Sequence, residues 1–174
     1  LQEKYDFLVT NPPYMQNRSL PEALKKLAKE RVPTGKTDLF ALFLDQGLHL
    51  LKPGGQLGLL TMQSWMFLKS YAPVRNRMIH DTQLELLAHI GPGAFEDLGA
   101  YNALTVAFTA THNRSPRNEK QTVEHSKPAT FLKLNRSHLL SEKFKDFYNP
   151  NLRIQLDPKI FLKYPDQLWL YTLP

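Results

Sequence analysis

The apolar run Tyr5-Asp6-Phe7-Leu8-Val9-Thr10 stops at Asn11-Pro12-Pro13-Tyr14, and this junction constrains the fold more than any other stretch of the chain. The run lacks a strict alternation of polar positions, which suits a strand buried in a parallel sheet. Pro12 and Pro13 cannot donate to a ladder and hold the backbone extended and stiff, so the strand ends there. At its carboxyl end it delivers an Asn side-chain oxygen beside a proline carbonyl, two acceptors suited to an exocyclic NH2. Tyr14 adds a flat face on which a planar base or amide can lie. An aromatic amine is a poor nucleophile because its lone pair is delocalised into the ring. Acceptors placed out of the ring plane favour a pyramidal nitrogen and free that lone pair for attack on a methyl donor. The plainer alternative is a proline-rich turn that closes a strand, since Asn-Pro is a common turn opener.

The rest of the chain alternates in type. Pro21 to Leu27 predicts a short helix with proline in its first turn. Thr37 or Asp38 can cap a second helix from Leu39 to Leu51, with Leu39, Phe43, Leu44, Gly47, Leu48 and Leu51 on its apolar face. Lys52-Pro53-Gly54-Gly55 ends that helix, and Gln56 to Met62 reads as the next strand. A helix follows from about Ala72 to His80, then strands at Leu84–Ile90 and Ala103–Thr111, separated by a long loop over 91–102. Residues 113–127 are polar and read as a linker or surface loop. Beyond them a strand is expected over Ala129–Leu134 and a helix over Leu139–Tyr148, then an irregular stretch ending near the apolar cluster Leu168-Trp169-Leu170-Tyr171. This order implies an α/β sheet with ligands at the carboxyl ends of its strands, where Asn11 and Gln63 both fall.

Composition narrows the classes. At 174 residues, 42% hydrophobic and 22% charged, the chain reads as about one soluble globular domain. No apolar run reaches membrane-spanning length, so no membrane partner is expected. Cysteine is absent, which removes disulfide and thiolate chemistry and fits a cytoplasmic setting. No His and carboxylate spacing suggests a metal. Charge is uneven: residues 1–110 carry 11 Lys and Arg against 10 Asp and Glu, whereas residues 111–174 carry 11 against 6. A basic C-terminal third suits a phosphate backbone, and equally an ordinary solvated surface.

Asn11-Pro12-Pro13-Tyr14 resembles the motif IV of amino-group methyltransferases that use S-adenosylmethionine. The stretches 4–14, Asp38–Leu44 and Leu51–Leu60 resemble DNA adenine-N6 methyltransferases of the TaqI-like and type IIG-like kind. Gln63–Leu68 and Gly93–Gly99 are similar to the PglX methyltransferases of BREX phage-defence systems. The resemblance covers residues 4 to about 111 and implies the C-terminal part of a Rossmann-like methyltransferase sheet followed by a basic irregular tail. It implies that Asn11 and Pro12 hold the target amine, that Tyr14 stacks on it, and that Pro13 lines the same pocket. Phe95 falls where the family's motif VIII aromatic contacts the extruded base, with a plain core role as the alternative. Trp65 lies in the segment flanking the pocket, where core packing is the stronger reading and base contact the other. Asp38 is most simply a helix cap.

The family's glycine-rich strand–turn–helix for S-adenosylmethionine is not recognisable in this sequence, and Gly91-Pro92-Gly93 stands in the wrong context for it. The expectation is therefore an internal fragment: residues 1–111 a partial catalytic domain, 112–127 a linker, and 128–174 an extension toward a missing recognition region. Such a chain alone is expected to bind S-adenosylmethionine weakly or not at all. The implied function is adenine-N6 methylation of DNA in phage defence, with DNA presenting a flipped adenine and other defence-system subunits as partners. Methylation of a protein glutamine or of ribosomal RNA is the alternative within the same chemistry. A non-catalytic nucleic-acid-binding remnant is the alternative outside it.

Overall fold

The computed structural model describes residues 3–15, 19–31, 39–95, 103–113 and 127–171. Strand β1 (Tyr5–Thr10) leads through helices α1 (Glu22–Arg31) and α2 (Leu39–Leu50) into β2 (Leu51–Met62). Two short 3-10 turns precede α3 (Ala72–Asp81), β3 (Thr82–Gly91) and β4 (Thr105–His112). Then come β5 (Ala129–Lys133), α4 (Leu140–Tyr148) and β6 (Arg153–Leu156). The six strands form one sheet in the order β1-β2-β4-β3-β5-β6. β1 and β2 pair in parallel, as do β3 and β5, while β4 runs antiparallel between β2 and β3 and β6 antiparallel to β5. The carboxyl ends of β1, β2, β3 and β5 therefore share one edge of the sheet, and this edge positions the site.

The main core lies on one sheet face. Phe40, Leu44 and Leu48 of α2 and Val74, Met78 and Ile79 of α3 pack against Leu57, Leu59, Leu84, Leu87, Val106 and Phe108. Leu39, Leu44, Gly47 and Leu48 are buried as their spacing predicts, but Phe40 is the inward aromatic of α2 and the expected Phe43 is exposed. β2 is longer than its glycines suggest: Leu51 already pairs with Tyr5, and a register shift between Tyr5 and Phe7 absorbs the Pro53-Gly54-Gly55 segment. The opposite face carries a small cluster of Ala88, Leu132 and Leu134. On β1 Leu8 faces the core, but Phe7 and Val9 are 70% and 83% exposed, so this edge strand is covered on one side only among the described residues. Thr37, Asp38 and most of the 113–127 linker fall outside the described residues.

The apolar cluster near the end of the chain finds its partner in the 3-10 turn Gln63–Met66. Trp169 N–H bonds the Met66 carbonyl at 3.1 Å, and the Trp169 and Trp65 rings meet edge-on with centroids 4.8 Å apart. Phe161 stacks on Trp169, and Tyr171 stacks on Phe131 of β5. Residues 129–171 thus contribute two strands to the sheet and several rings to its core. α4 has an inverted pattern. Phe144, Phe147 and Tyr148 are exposed, while Lys143 is buried and donates to the carbonyls of Ile90, at the end of β3, and Leu134, just after β5. Burial lowers the Lys143 pKa, partly offset by the charge of Asp146.

Candidate functional site: a proline-rich turn at the carboxyl edge

β-branched and aromatic residues make β1 a strand, and parallel pairing with β2 fixes where it stops. Asn11 emerges exposed at its end, and Pro12 is buried behind it. Among the described residues no backbone N–H bonds the Pro12 carbonyl. Met15 N–H bonds the Pro13 carbonyl at 3.1 Å, and Leu39 N–H bonds the Met15 carbonyl at 2.9 Å. The turn is thereby closed on itself and tied to the start of α2. Pro13 is exposed on its outer side.

Tyr14 meets Phe95 with ring centroids 6.4 Å apart and planes inclined by 60°. These two rings stand 81 positions apart in sequence, yet the fold brings both to the same edge. Burial pushes the Tyr14 phenol up to about 12, so it is neutral at ordinary pH and offers a flat, uncharged face. Phe95 is carried by a tight loop leaving β3, in which Gly91 and Gly93 have φ of 70° and 73°. A Cβ on Gly91 would stand 2.7 Å from the Asn135 Cβ, and one on Gly93 would stand 2.1 Å from the His138 carbonyl oxygen. Only glycine tolerates both the dihedral and the contact. Gly93→Ala is expected to destabilise the protein by roughly 2–3 kcal/mol through strain and displacement of residues 135–138. Urea denaturation reads that loss, and a change under 0.5 kcal/mol would show that the loop is free to move.

Trp65 is placed differently from these residues. It is 1% exposed, its indole N–H donates to the Thr61 hydroxyl at 3.0 Å, and its ring packs on Phe108 and Trp169. It supports the 3-10 turn from inside and presents no face to the edge. Of the expected site residues the fold brings Tyr14 and Phe95 together, with Asn11 and Pro12 on the same turn as Tyr14. Among the described residues no cluster of His, Asp and Glu could hold a metal ion, and no helix is long and apolar enough to cross a membrane.

The model of the Eco57I restriction-modification methylase family matches residues 1–95, more than half of the chain. The chain belongs to that family. It is 37% identical over 115 residues to the adenine-specific methyltransferase BrxX of Escherichia coli O9:H4 (strain HS), covering 66% of this chain and 10% of that protein. It is 39% identical over 108 residues to the adenine-specific methyltransferase PglX of Lacticaseibacillus casei (strain Zhang), covering 62% and 9%. The chain thus spans about a tenth of the length of these two relatives. A solved structure from Listeria monocytogenes, assigned to the class I S-adenosylmethionine-dependent methyltransferases, superposes with a TM-score of 0.57 at 17% identity. That match covers 86% of this chain and 40% of the other. The six-stranded mixed sheet is accordingly that of a class I methyltransferase, and S-adenosylmethionine is the cofactor that this family and fold use.

The sequence reading missed a buried polar chain in this methylase fold. His89, near the end of β3, is 5% exposed. Its Nε2 lies 2.5 Å from Gln63 Oε1, its Nδ1 lies 2.6 Å from the Tyr171 hydroxyl, and Asn135 Nδ2 stands 3.5 Å from Nε2. The Gln63 amide oxygen can only accept, so Nε2–H donates to it and Nδ1 accepts from the Tyr171 hydroxyl. Burial, with the nearby Lys143 and Lys133 cations, lowers the His89 pKa to about 4. An unfolded histidine titrates near 6.5, so between pH ~6.5 and ~4 the unfolded state holds a proton that the native state does not. Stability must therefore fall as pH drops through that window and level off below it. From pH 7 to 4.5 the wild type is expected to lose about 2–3 kcal/mol more than His89→Gln, which has no such proton. Denaturation at the two pH values measures this, and equal losses would show that His89 titrates normally.

Proposed function

We propose that this chain supplies the acceptor pocket of a DNA adenine-N6 methyltransferase acting in phage defence. The observation that carries the reading is the Asn11-Pro12-Pro13-Tyr14 turn at the carboxyl edge of the sheet, with Tyr14 facing Phe95. An adenine swung out of the duplex rests against Tyr14, with Phe95 closing the same pocket and Pro13 bordering it. Its N6 hydrogens are held by the Asn11 side-chain oxygen and the Pro12 carbonyl. Accepting from both draws the nitrogen toward a pyramidal geometry and localises its lone pair, and the proton released on methylation leaves along one of these hydrogen bonds. The stiffness of the Pro12–Pro13 backbone keeps the acceptors from following the amine, so the strain falls on the substrate.

The described residues include no glycine-rich strand–turn–helix for S-adenosylmethionine. They provide the acceptor's half of the reaction. The names of BrxX and PglX, both adenine-specific methyltransferases, favour adenine over a protein amide as the acceptor. The reaction is placed in the cytoplasm, where DNA is accessible, with other defence subunits as further partners.

Incubating the full-length protein with labelled S-adenosylmethionine and, separately, duplex DNA, ribosomal RNA and a glutamine-containing peptide tests the reading. Label in DNA alone is the expected result. Label in RNA or peptide at a comparable rate would overturn it.

A further inference from the structure

Gln63 opens the 3-10 turn that follows β2, the strand that runs parallel beside β1. It therefore stands at the same edge as Asn11, one strand over. Its backbone N–H bonds the Leu104 carbonyl at 2.7 Å, anchoring it to the start of β4. Its side chain is half-buried, and its Oε1 is taken by His89. Its Nε2 has no hydrogen-bond partner among the described residues. A three-membered chain, Tyr171 hydroxyl to His89 imidazole to Gln63 carbonyl oxygen, thus holds one end of an amide and leaves the other end free.

Such a chain is a costly way to fill space. Burying an imidazole and a phenol requires satisfied partners, and pinning a glutamine loses its rotamer freedom. An apolar residue at position 63 would pack with less expense. What the chain achieves is a fixed orientation: with Oε1 held by His89, the Nε2 of a half-buried residue at the carboxyl edge is left without a partner among the described residues. An adenine whose amine is held by acceptors still presents ring nitrogens N1 and N7 on either side of that amine, and each accepts a hydrogen bond. An amide donor set beside an amine grip matches that pattern. It does not match guanine or thymine, which carry a carbonyl oxygen at the corresponding position.

We propose that Gln63 reads the target base, its Nε2 donating to one of the two ring nitrogens that flank the amine held by Asn11 and Pro12. His89 and Tyr171 are positioning residues that aim it. This rests on the adenine-methylation reading above and deepens it, and none of the residues assigned there performs this recognition.

The test uses the full-length methyltransferase and duplex DNA carrying adenine, 1-deazaadenine or 7-deazaadenine at the methylated position. Each analogue replaces one ring nitrogen by C–H and keeps the amine. The wild type should lose about 10–100-fold in kcat/KM on one analogue and little on the other, which identifies the nitrogen. Gln63→Met should lose a similar factor on adenine and no more than about threefold further on that same analogue, because the two changes remove one hydrogen bond. If Gln63→Met does not fold, Tyr171→Phe replaces it, with the discrimination expected to shrink at least threefold. A Gln63→Met or Tyr171→Phe enzyme that slows on every substrate by the same factor, keeping the wild-type discrimination, shows a merely structural role and overturns the proposal. So does a wild type indifferent to both analogues. A wild type that transfers no methyl to adenine DNA at all fails the underlying reading instead, and that outcome is separately visible.

Discussion

Asn11→Ala is expected to slow adenine methylation by the full-length protein roughly 30- to 1,000-fold, the equivalent of about 2–4 kcal/mol of transition-state stabilisation. The Asn11 oxygen is one of two acceptors on the reacting amine, and its contribution grows as that nitrogen becomes pyramidal and its hydrogens more acidic. The loss should therefore fall on kcat more than on KM. Asn11 is exposed, so stability should stay within about 0.5 kcal/mol of the wild type. Single-turnover incorporation of labelled methyl groups into DNA, beside a urea titration of the same variant, separates the two effects. Full activity in this variant would remove Asn11 from the chemistry.

Arg75→Met is expected to cost about 3–5 kcal/mol of folding stability, because it strips the donors from several buried carbonyls at once. Arg75 projects from α3 and is fully buried. Its Nη1 donates to the Trp65 carbonyl at 2.5 Å and the Leu68 carbonyl at 2.8 Å. Its Nε and Nη2 both donate to the Asp166 carbonyl, at 3.1 and 2.8 Å. One guanidinium thereby staples the turn after β2 to the segment near the end of the chain. Asp166 and Gln167 adopt φ of 54° and 51°, a conformation that non-glycine residues hold only when their surroundings impose it. Burial lowers the Arg75 pKa and the Asp166 charge partly restores it, yet guanidinium begins so high that it stays protonated. The variant should unfold at a lower urea concentration, and Trp65 and Trp169 fluorescence should report loss of the same contact. A shift below about 1 kcal/mol would mean that other contacts hold these turns together.

How much of this was legible in the sequence depends on how local each cause is. Asn11 to Tyr14 could be read because two prolines after an apolar run dictate their backbone without help from distant residues. β1, α2, β2, α3, β3 and β4 follow from periodicity, whereas nothing local in the sequence points to the contact between Phe95 and Tyr14, and Phe95 enters the site only through a family resemblance. Periodicity did less well where tertiary packing chose between near-equivalent faces, as with Phe40 over Phe43. It also failed at Leu51–Gly55, where a neighbouring strand recruits a glycine-rich segment into the sheet. The short strand β6 carries too few residues to show a pattern. The His89–Gln63–Tyr171 chain left no local trace, since His89 and Tyr171 lie 82 positions apart and meet only once β5 and the final segment close over β3. Lys143 is the converse case. A lysine on an amphipathic helix reads as solvated, and here it turns inward because two strand ends present unpaired carbonyls to it.

Whether the carboxyl-edge turn grips the exocyclic amine of adenine is read from the nucleosides of duplex DNA after incubation with the full-length protein and isotopically labelled S-adenosylmethionine. Label is expected in N6-methyldeoxyadenosine, falling at least 30-fold in rate with Asn11→Ala. Label in 5-methyldeoxycytidine, a carbon-methylated product that no amine grip explains, would contradict it.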